Sequence, residues 1–153
     1  MTAVKTKRKA KKKTKQWNPN IVVFACNWCS YAGADTAGVS RIQHQPHFRM
    51  IRVMCSGRIQ PGFVLKAFEK GADGVLVSGC HIGDCHYING NEKTKVRYEF
   101  LKRVVEEFGI EPERLKLEWI SASEGDKFAS FVKTSTEEIR KLGPSPIKPE
   151  VIE

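Results

Sequence analysis

At 153 residues the chain suits one domain with a sizeable core. Its formal charge of +9, from 26 Lys and Arg against 17 Asp and Glu, suggests a nucleic-acid binder until the charge is located. Eight of the 26 (Lys5, Lys7, Arg8, Lys9, Lys11, Lys12, Lys13 and Lys15) fall in residues 1–16, which leaves 18 basic residues against 17 acidic ones.

The excess charge therefore belongs to a tail, residues 1–18, expected to be disordered because lysines repel and nothing apolar can be buried. No aromatic side chain is interleaved with those lysines to stack on bases, which argues against nucleic acid as a partner. There is no run of about 18 apolar residues, so no membrane span is expected. Trp17-Asn18-Pro19-Asn20 interrupts the basic start and Ile21 to Ala25 is too short for a signal-peptide core, so the expected location is the cytoplasm. Five cysteines there are poor candidates for structural disulfides and better ones for metal binding or thiol redox chemistry.

Ile21 to Ala25 reads as a strand buried on both faces, and Cys26-Asn27-Trp28-Cys29 follows at once. Residues 30–44, rich in Ala, Gly, Ser and Thr, read as a short, tightly packed helix or turn system. Phe48 to Met54 is a second strand that ends at Cys55-Ser56-Gly57. Pro61 suits a first helical turn, and Phe63, Val64, Ala67 and Phe68 mark one face of a helix that stops at Gly71. Val75 to Ser78 is a third strand, ending at Gly79-Cys80 with Cys85 five residues on. Glu92 to Phe108 is a helix whose apolar face is Val96, Phe100, Leu101, Val104, Val105 and Phe108. Leu115 to Ile120 is a fourth strand with a wetter face. Ser123 and Asp126 are positioned to cap a last helix carrying Phe128, Phe131, Val132, Ser135, Ile139 and Leu142, which Gly143-Pro144 stops. Residues 144–153 read as an extended arm after a domain spanning 19–143.

Four alternations of strand and helix with short links predict an α/β domain of the Rossmann or flavodoxin-like kind. Its sheet is mainly parallel and four-stranded, with helices on both faces. Right-handed crossovers put every strand's carboxyl end on one edge, where ligands of such sheets bind. Cys26, Cys55 and Cys80 each stand at the end of one of the first three strands, so distant segments converge on one site.

A lone cysteine is most simply a small buried hydrophobe. Five clustered at strand ends are not. Four thiolates can hold an iron–sulfur cluster of the 2Fe–2S type, Cys26 with Cys29 on one iron and Cys80 with Cys85 on the other. Cys55 is then a fifth thiol or an alternative ligand, and spacing alone does not identify the spare. The same residues can instead hold structural zinc in an interaction module. Cys26 and Cys29 alone can form a redox disulfide of a thiol oxidoreductase, which leaves Cys80 and Cys85 without a role. His81 or His86 can replace a thiolate, although such residues more often hydrogen-bond nearby or face a partner. Ser56, Gly57, Gly79 and Gly83 permit close backbone approach, with N–H groups aimed at sulfur. Trp28 and Tyr87 shield the site or simply pack. Lys93, Lys95 and Arg97 form a solvated basic helix start or a docking patch for an acidic redox partner.

Three blocks, Cys26-Asn-Trp-Cys29-Ser-Tyr-Ala-Gly-Ala-Asp, Arg52-Val-Met-Cys55-Ser-Gly-Arg and Gly79-Cys80-His-Ile-Gly-Asp-Cys85-His-Tyr-Ile-Asn-Gly-Asn, resemble the delta subunit of methyl-viologen-reducing hydrogenase from about residue 20 to about 143. The resemblance does not extend to the lysine-rich head. It implies a non-catalytic iron–sulfur subunit, an enzyme component rather than an enzyme, with a 2Fe–2S cluster. The family's five cysteines correspond to Cys26, Cys29, Cys55, Cys80 and Cys85, four of them as direct ligands. It also implies two kinds of partner: the flavin subunit of heterodisulfide reductase, and an upstream hydrogenase, formate dehydrogenase or methylenetetrahydrofolate reductase. The assembly carries out flavin-based electron bifurcation or a related transfer. The resemblance names neither the donor nor the direction of flow.

Overall fold

The computed structural model describes residues 17–147. Residues 1–16 of the expected tail and 148–153 of the expected arm lie outside the described residues. The elements run β1 Ile21–Cys26, α1 Ser30–Val39, β2 Phe48–Val53, α2 Pro61–Glu69, β3 Gly74–Gly79, α3 Gly90–Glu107, β4 Leu115–Trp119 and α4 Gly125–Leu142. The four strands form one parallel sheet in the order β2-β1-β3-β4. This is the α/β architecture that the alternation predicts.

The central strands explain their own composition. On β1, Ile21 and Val23 join Leu76 in a core with Ala37, Phe128, Val132 and Ile139, on the side of α1 and α4. Val22 and Phe24 face the opposite core with Val64, Phe68, Leu101 and Val105, on the side of α2 and α3. A strand covered on both faces favours apolar residues, which is why β1 and Val75 to Val77 of β3 read as continuous apolar runs; the buried Ser78 that follows is satisfied by donating to Phe24 O. β2 is an edge, and its Arg49, Ile51 and Arg52 are exposed.

Residues 30–39 do form a helix, and its small residues are there for proximity to α4. A Cβ on Gly33 would lie 2.8 Å from Ser121 O, and one on Gly125 would lie 2.6 Å from Ala37 N. Larger residues would push the two helices apart and uncover the sheet.

Two expectations are corrected. α3 turns Asn91, Thr94, Leu101 and Val105 inward, with Tyr98 half-buried, while Val96, Phe100 and Phe108 are 72%, 59% and 64% exposed. Polar residues can occupy the inward turn nearest the cysteines because their groups are satisfied there: Thr94 Oγ1 donates to Gly90 O at 2.9 Å, and Asn91 Nδ2 donates to Cys80 O and His81 O. At α4, Ser123 is not the cap. The cap residue is Glu124, without a side-chain cap bond, because its carboxylate accepts from Ser121 N–H at 2.7 Å and pairs with His81.

Arg114 is a structural residue that patterning did not reveal. It is fully buried, with Nε and one terminal nitrogen on the Glu111 carboxylate. Its remaining donors reach the carbonyls of Asp73, Gly143 and Pro144 at 3.0, 2.9 and 3.2 Å. It thereby ties the start of β3 to the chain leaving α4, where Gly143 takes φ 83°. Arg114→Met strands three carbonyls and is expected to lower stability by about 3 kcal/mol, read as a shifted urea midpoint at unchanged slope. No helix among the described residues is long and apolar enough to cross a membrane.

Candidate metal centre

β1 ends on Cys26, β3 is followed directly by Cys80, and Cys55 stands two residues past β2. Because β1 lies between β2 and β3, the sheet itself brings these three segments to one rim. Ser30 secures the junction: its hydroxyl accepts from Cys26 N–H at 2.9 Å and donates to Ser78 O at 3.0 Å. Cys29 immediately precedes α1, which returns it to the same rim. Cys85 belongs to the loop that enters α3.

The sulfurs group as three and two. The Cys26, Cys29 and Cys80 sulfurs lie within 4.8 Å of one another, with Cys26 and Cys80 at 3.8 Å. Cys55 and Cys85 form the second group, also at 3.8 Å. Cys80 therefore sits with the Cys26–Cys29 pair rather than with Cys85, as follows from the adjacency of β1 and β3. Cys26, Cys29, Cys55 and Cys80 are buried, Cys85 is half-buried, and all five are free.

Charge is unevenly shared among the sulfurs. Hydrogen bonds from Cys29, then Cys80, hold the Cys26 thiol far below the ordinary range against the effect of burial, and the N–H groups of Trp28 and Ser56 add to this. Its two neighbours are pushed up, Cys29 chiefly by its hydrogen bond to Cys26 and Cys80, for the same reason, to about 11. Burial raises Cys55. Burial also pushes Cys85 upward, but the N–H groups of Tyr87, Asn91 and Gly90 outweigh it and leave the thiol below its ordinary value. Within the three-sulfur group negative charge is thus favoured on Cys26 and disfavoured on Cys29 and Cys80. A bound cation would let all three ionise.

The residues present fit such a group. The donor set is all sulfur, which selects soft metals such as iron and zinc over magnesium or calcium. Backbone donors face the sulfurs: Gly57 N–H to Cys55 Sγ at 3.4 Å and Gly90 N–H to Cys85 Sγ at 3.2 Å. Gly90 has to be bare, since a Cβ there would lie 2.2 Å from Cys55 Sγ. The buried hydroxyl of Ser56, beside Cys55, has no hydrogen-bond partner among the described residues.

Neither histidine joins the three-sulfur group. His81 Nε2 meets Glu124 at 2.6 Å, and that contact, then the Ser121 N–H, pulls the Glu124 carboxyl down to about 2. His86 stacks on Trp28 with ring centroids 3.9 Å apart, and Trp28 Nε1 donates to Tyr87 Oη at 3.3 Å. Trp28 and Tyr87 remain about half exposed, so they form a ridge over the rim rather than a sealed cap. Ile88 beyond them takes φ 74° with its side chain 86% exposed, an unfavourable backbone state for a β-branched residue. Arg97 donates to Gly57 O at 2.5 Å and so braces the Cys55 turn instead of joining a solvated face. Asn91 and Glu124 were not singled out in the sequence, because their roles depend on contacts across 10 to 43 residues.

Residues 21–143 match the family described as "Methyl-viologen-reducing hydrogenase, delta subunit". The vhc iron-sulfur subunit of the F420-non-reducing hydrogenase of Methanococcus voltae is 56% identical over 132 residues, 86% of this chain and 92% of that one. The iron-sulfur subunit of the F420-non-reducing hydrogenase of Archaeoglobus profundus is 53% identical over 86% of this chain and 96% of its own. A third relative belongs to the ferredoxin/F(420)H(2)-dependent CoB-CoM heterodisulfide reductase of Methanosarcina acetivorans. That reductase subunit is 51% identical over 82% of this chain but only 16% of its own length. The fold, the cysteine-lined rim and these matches agree: the chain belongs to the delta subunit family of methyl-viologen-reducing hydrogenase.

Proposed function

We propose that the chain is a one-electron relay subunit of a hydrogenase and heterodisulfide reductase system, built around a 2Fe–2S cluster held by four of Cys26, Cys29, Cys55, Cys80 and Cys85. The observation that carries this reading is the convergence of five free cysteines from four segments on one rim, three of them within 4.8 Å. A bound cluster supplies a site that takes up and releases one electron without proton chemistry at the thiolates. The chain contributes the rest: buried sulfurs that exclude water, N–H donors that favour negative charge on sulfur, and strand ends that hold ligand positions fixed. Five unpaired thiols suit a reducing compartment, and we place the protein in the cytoplasm.

The same rim offers a surface for a partner. Beside Cys55 a cleft of about 390 Å³ is lined by Met54, Arg58, Tyr87, Asn89 and Lys93. Met54 and Tyr87 offer exposed apolar surface, and neither Arg58 nor Lys93 has an ion-pair partner among the described residues. We assign this cleft to the flavin-bearing subunit of heterodisulfide reductase, through an acidic segment with an apolar tip. The support is that the Methanosarcina relatives carry the matching segment within a much longer heterodisulfide reductase polypeptide, so the two parts are held together there by the chain. The upstream donor, a hydrogenase, formate dehydrogenase or methylenetetrahydrofolate reductase, then uses another approach, and the assembly serves electron bifurcation or a related transfer.

Strictly anaerobic purification is expected to yield a brown protein with about two iron and two sulfide per chain and an EPR signal on reduction. A colourless protein that carries zinc instead would overturn the relay reading. Arg58→Glu with Lys93→Glu is expected to weaken binding to the purified flavin subunit about tenfold and to flatten its salt dependence, with iron content unchanged. Unchanged binding to the flavin subunit, or a loss confined to the upstream enzyme, would remove the assignment of the cleft.

A further inference from the structure

Ser56 is 1% exposed, and its hydroxyl has no hydrogen-bond partner among the described residues. Buried hydroxyls are almost always paired, and one left alone has lost its water without compensation. Its neighbours at the same rim obey the rule. Ser30 Oγ donates to Ser78 O, Ser78 Oγ donates to Phe24 O at 3.3 Å, and Thr94 Oγ1 donates to Gly90 O. The other orphan among the described residues is Arg140 Nε, at the opposite end of the molecule, where the same guanidinium still donates to Asn18.

Ser56 is also placed among the cysteines by three separate contacts. It follows Cys55 in the chain. Its backbone N–H is close enough to help lower the Cys26 thiol. A Cβ on Gly79, the residue before Cys80, would lie only 2.7 Å from its Oγ. Two backbone donors at the rim already have sulfur acceptors, Gly57 N–H on Cys55 and Gly90 N–H on Cys85. The Ser56 hydroxyl is a buried donor at this rim without an acceptor among the described residues, and its proton rotates freely about the Cβ–Oγ bond.

We propose that the Ser56 hydroxyl is reserved for the bound group: it donates to an electron-rich sulfur of the iron–sulfur unit and so raises its reduction potential. This rests on the relay reading above. A donor to sulfur stabilises the more negative, reduced state more than the oxidised one, which shifts the potential upward. Ser56 is thus a tuning residue that supplies no ligand.

The test is Ser56→Ala in the full chain, compared metal-free and loaded. The variant is expected to take up iron and sulfide, to show a more negative midpoint potential, and to lose one exchangeable-proton coupling from the pulsed EPR spectrum of the reduced protein. In the metal-free form the substitution removes an unpaired hydroxyl and is expected to raise Tm; in the loaded form that gain disappears. An unchanged potential with equal Tm gains in both forms would overturn this proposal alone. Unsubstituted protein that binds no iron would overturn it together with the relay reading.

Discussion

Cys26→Ser is expected to strip the protein of bound iron while leaving the fold intact. Cys26 belongs to the three-sulfur group and ends the central strand β1: Cys80 lies 3.8 Å away, and Cys29 is in the same group. A serine oxygen is harder and reaches less far than sulfur. Loss of an outer-shell partner alone costs about 10–100-fold in metal affinity, so loss of this ligand should cost at least as much. The side chain is small, and far-ultraviolet circular dichroism should not change. Iron per chain in anaerobically purified protein is the measurement, and a variant with full iron content would remove Cys26 from the ligand set. With the proposed set of four ligands, one of the five single cysteine substitutions should be mild. The same cluster gives a pH dependence of defined sign. In the metal-free chain Cys29 and Cys80 are held protonated, the latter up to about 11. Metal must displace those protons, so cobalt(II) uptake, followed by its thiolate charge-transfer band, should strengthen as pH rises and weaken as it falls.

The arrangement of strands was legible because both faces of β1 and β3 are covered, which forces uninterrupted apolar runs that end abruptly at Gly79-Cys80 and at Cys26. The convergence of the cysteines was legible for the same reason, since parallel strands with right-handed crossovers share one carboxyl edge. The grouping of the sulfurs was not. Cys80 joins Cys26 because β3 neighbours β1, and strand order is invisible in spacing along the chain. The inward face of α3 was misjudged because Asn91 and Thr94 face the interior. Periodicity counts apolar residues, whereas here a buried amide holds the Cys80 and His81 carbonyls, and Val96, Phe100 and Phe108 are left outside. Arg114 was unreadable on the same ground, because its acceptors come from three separated places in the chain.

Gly90→Ala is expected to damage the site although alanine is the better helix former. Gly90 opens α3, and an added Cβ would lie 2.2 Å from Cys55 Sγ and 3.1 Å from Cys85 Sγ. Gly57 crowds the same side: its N would lie 3.7 Å from that Cβ, and its own Cβ would lie 2.8 Å from Gly90 Cα, so a small sideways shift does not free the methyl. The Cys55 sulfur must therefore move, taking the second sulfur pair out of register with the first. Overpacking of this kind costs about 1–3 kcal/mol, against a helix-propensity gain of at most about 1 kcal/mol. Gly62 in α2 is the control: nothing lies within 4 Å of a Cβ there, so Gly62→Ala should be neutral or slightly stabilising. Iron content should fall severalfold in the first variant and not in the second. Crowding against one identified sulfur also predicts non-additivity. In a Cys55→Ala background the obstructing atom is gone, and Gly90→Ala should then cost little in stability. Equal cost in both backgrounds would mean that the bare Cα at position 90 serves the helix start rather than the cysteines.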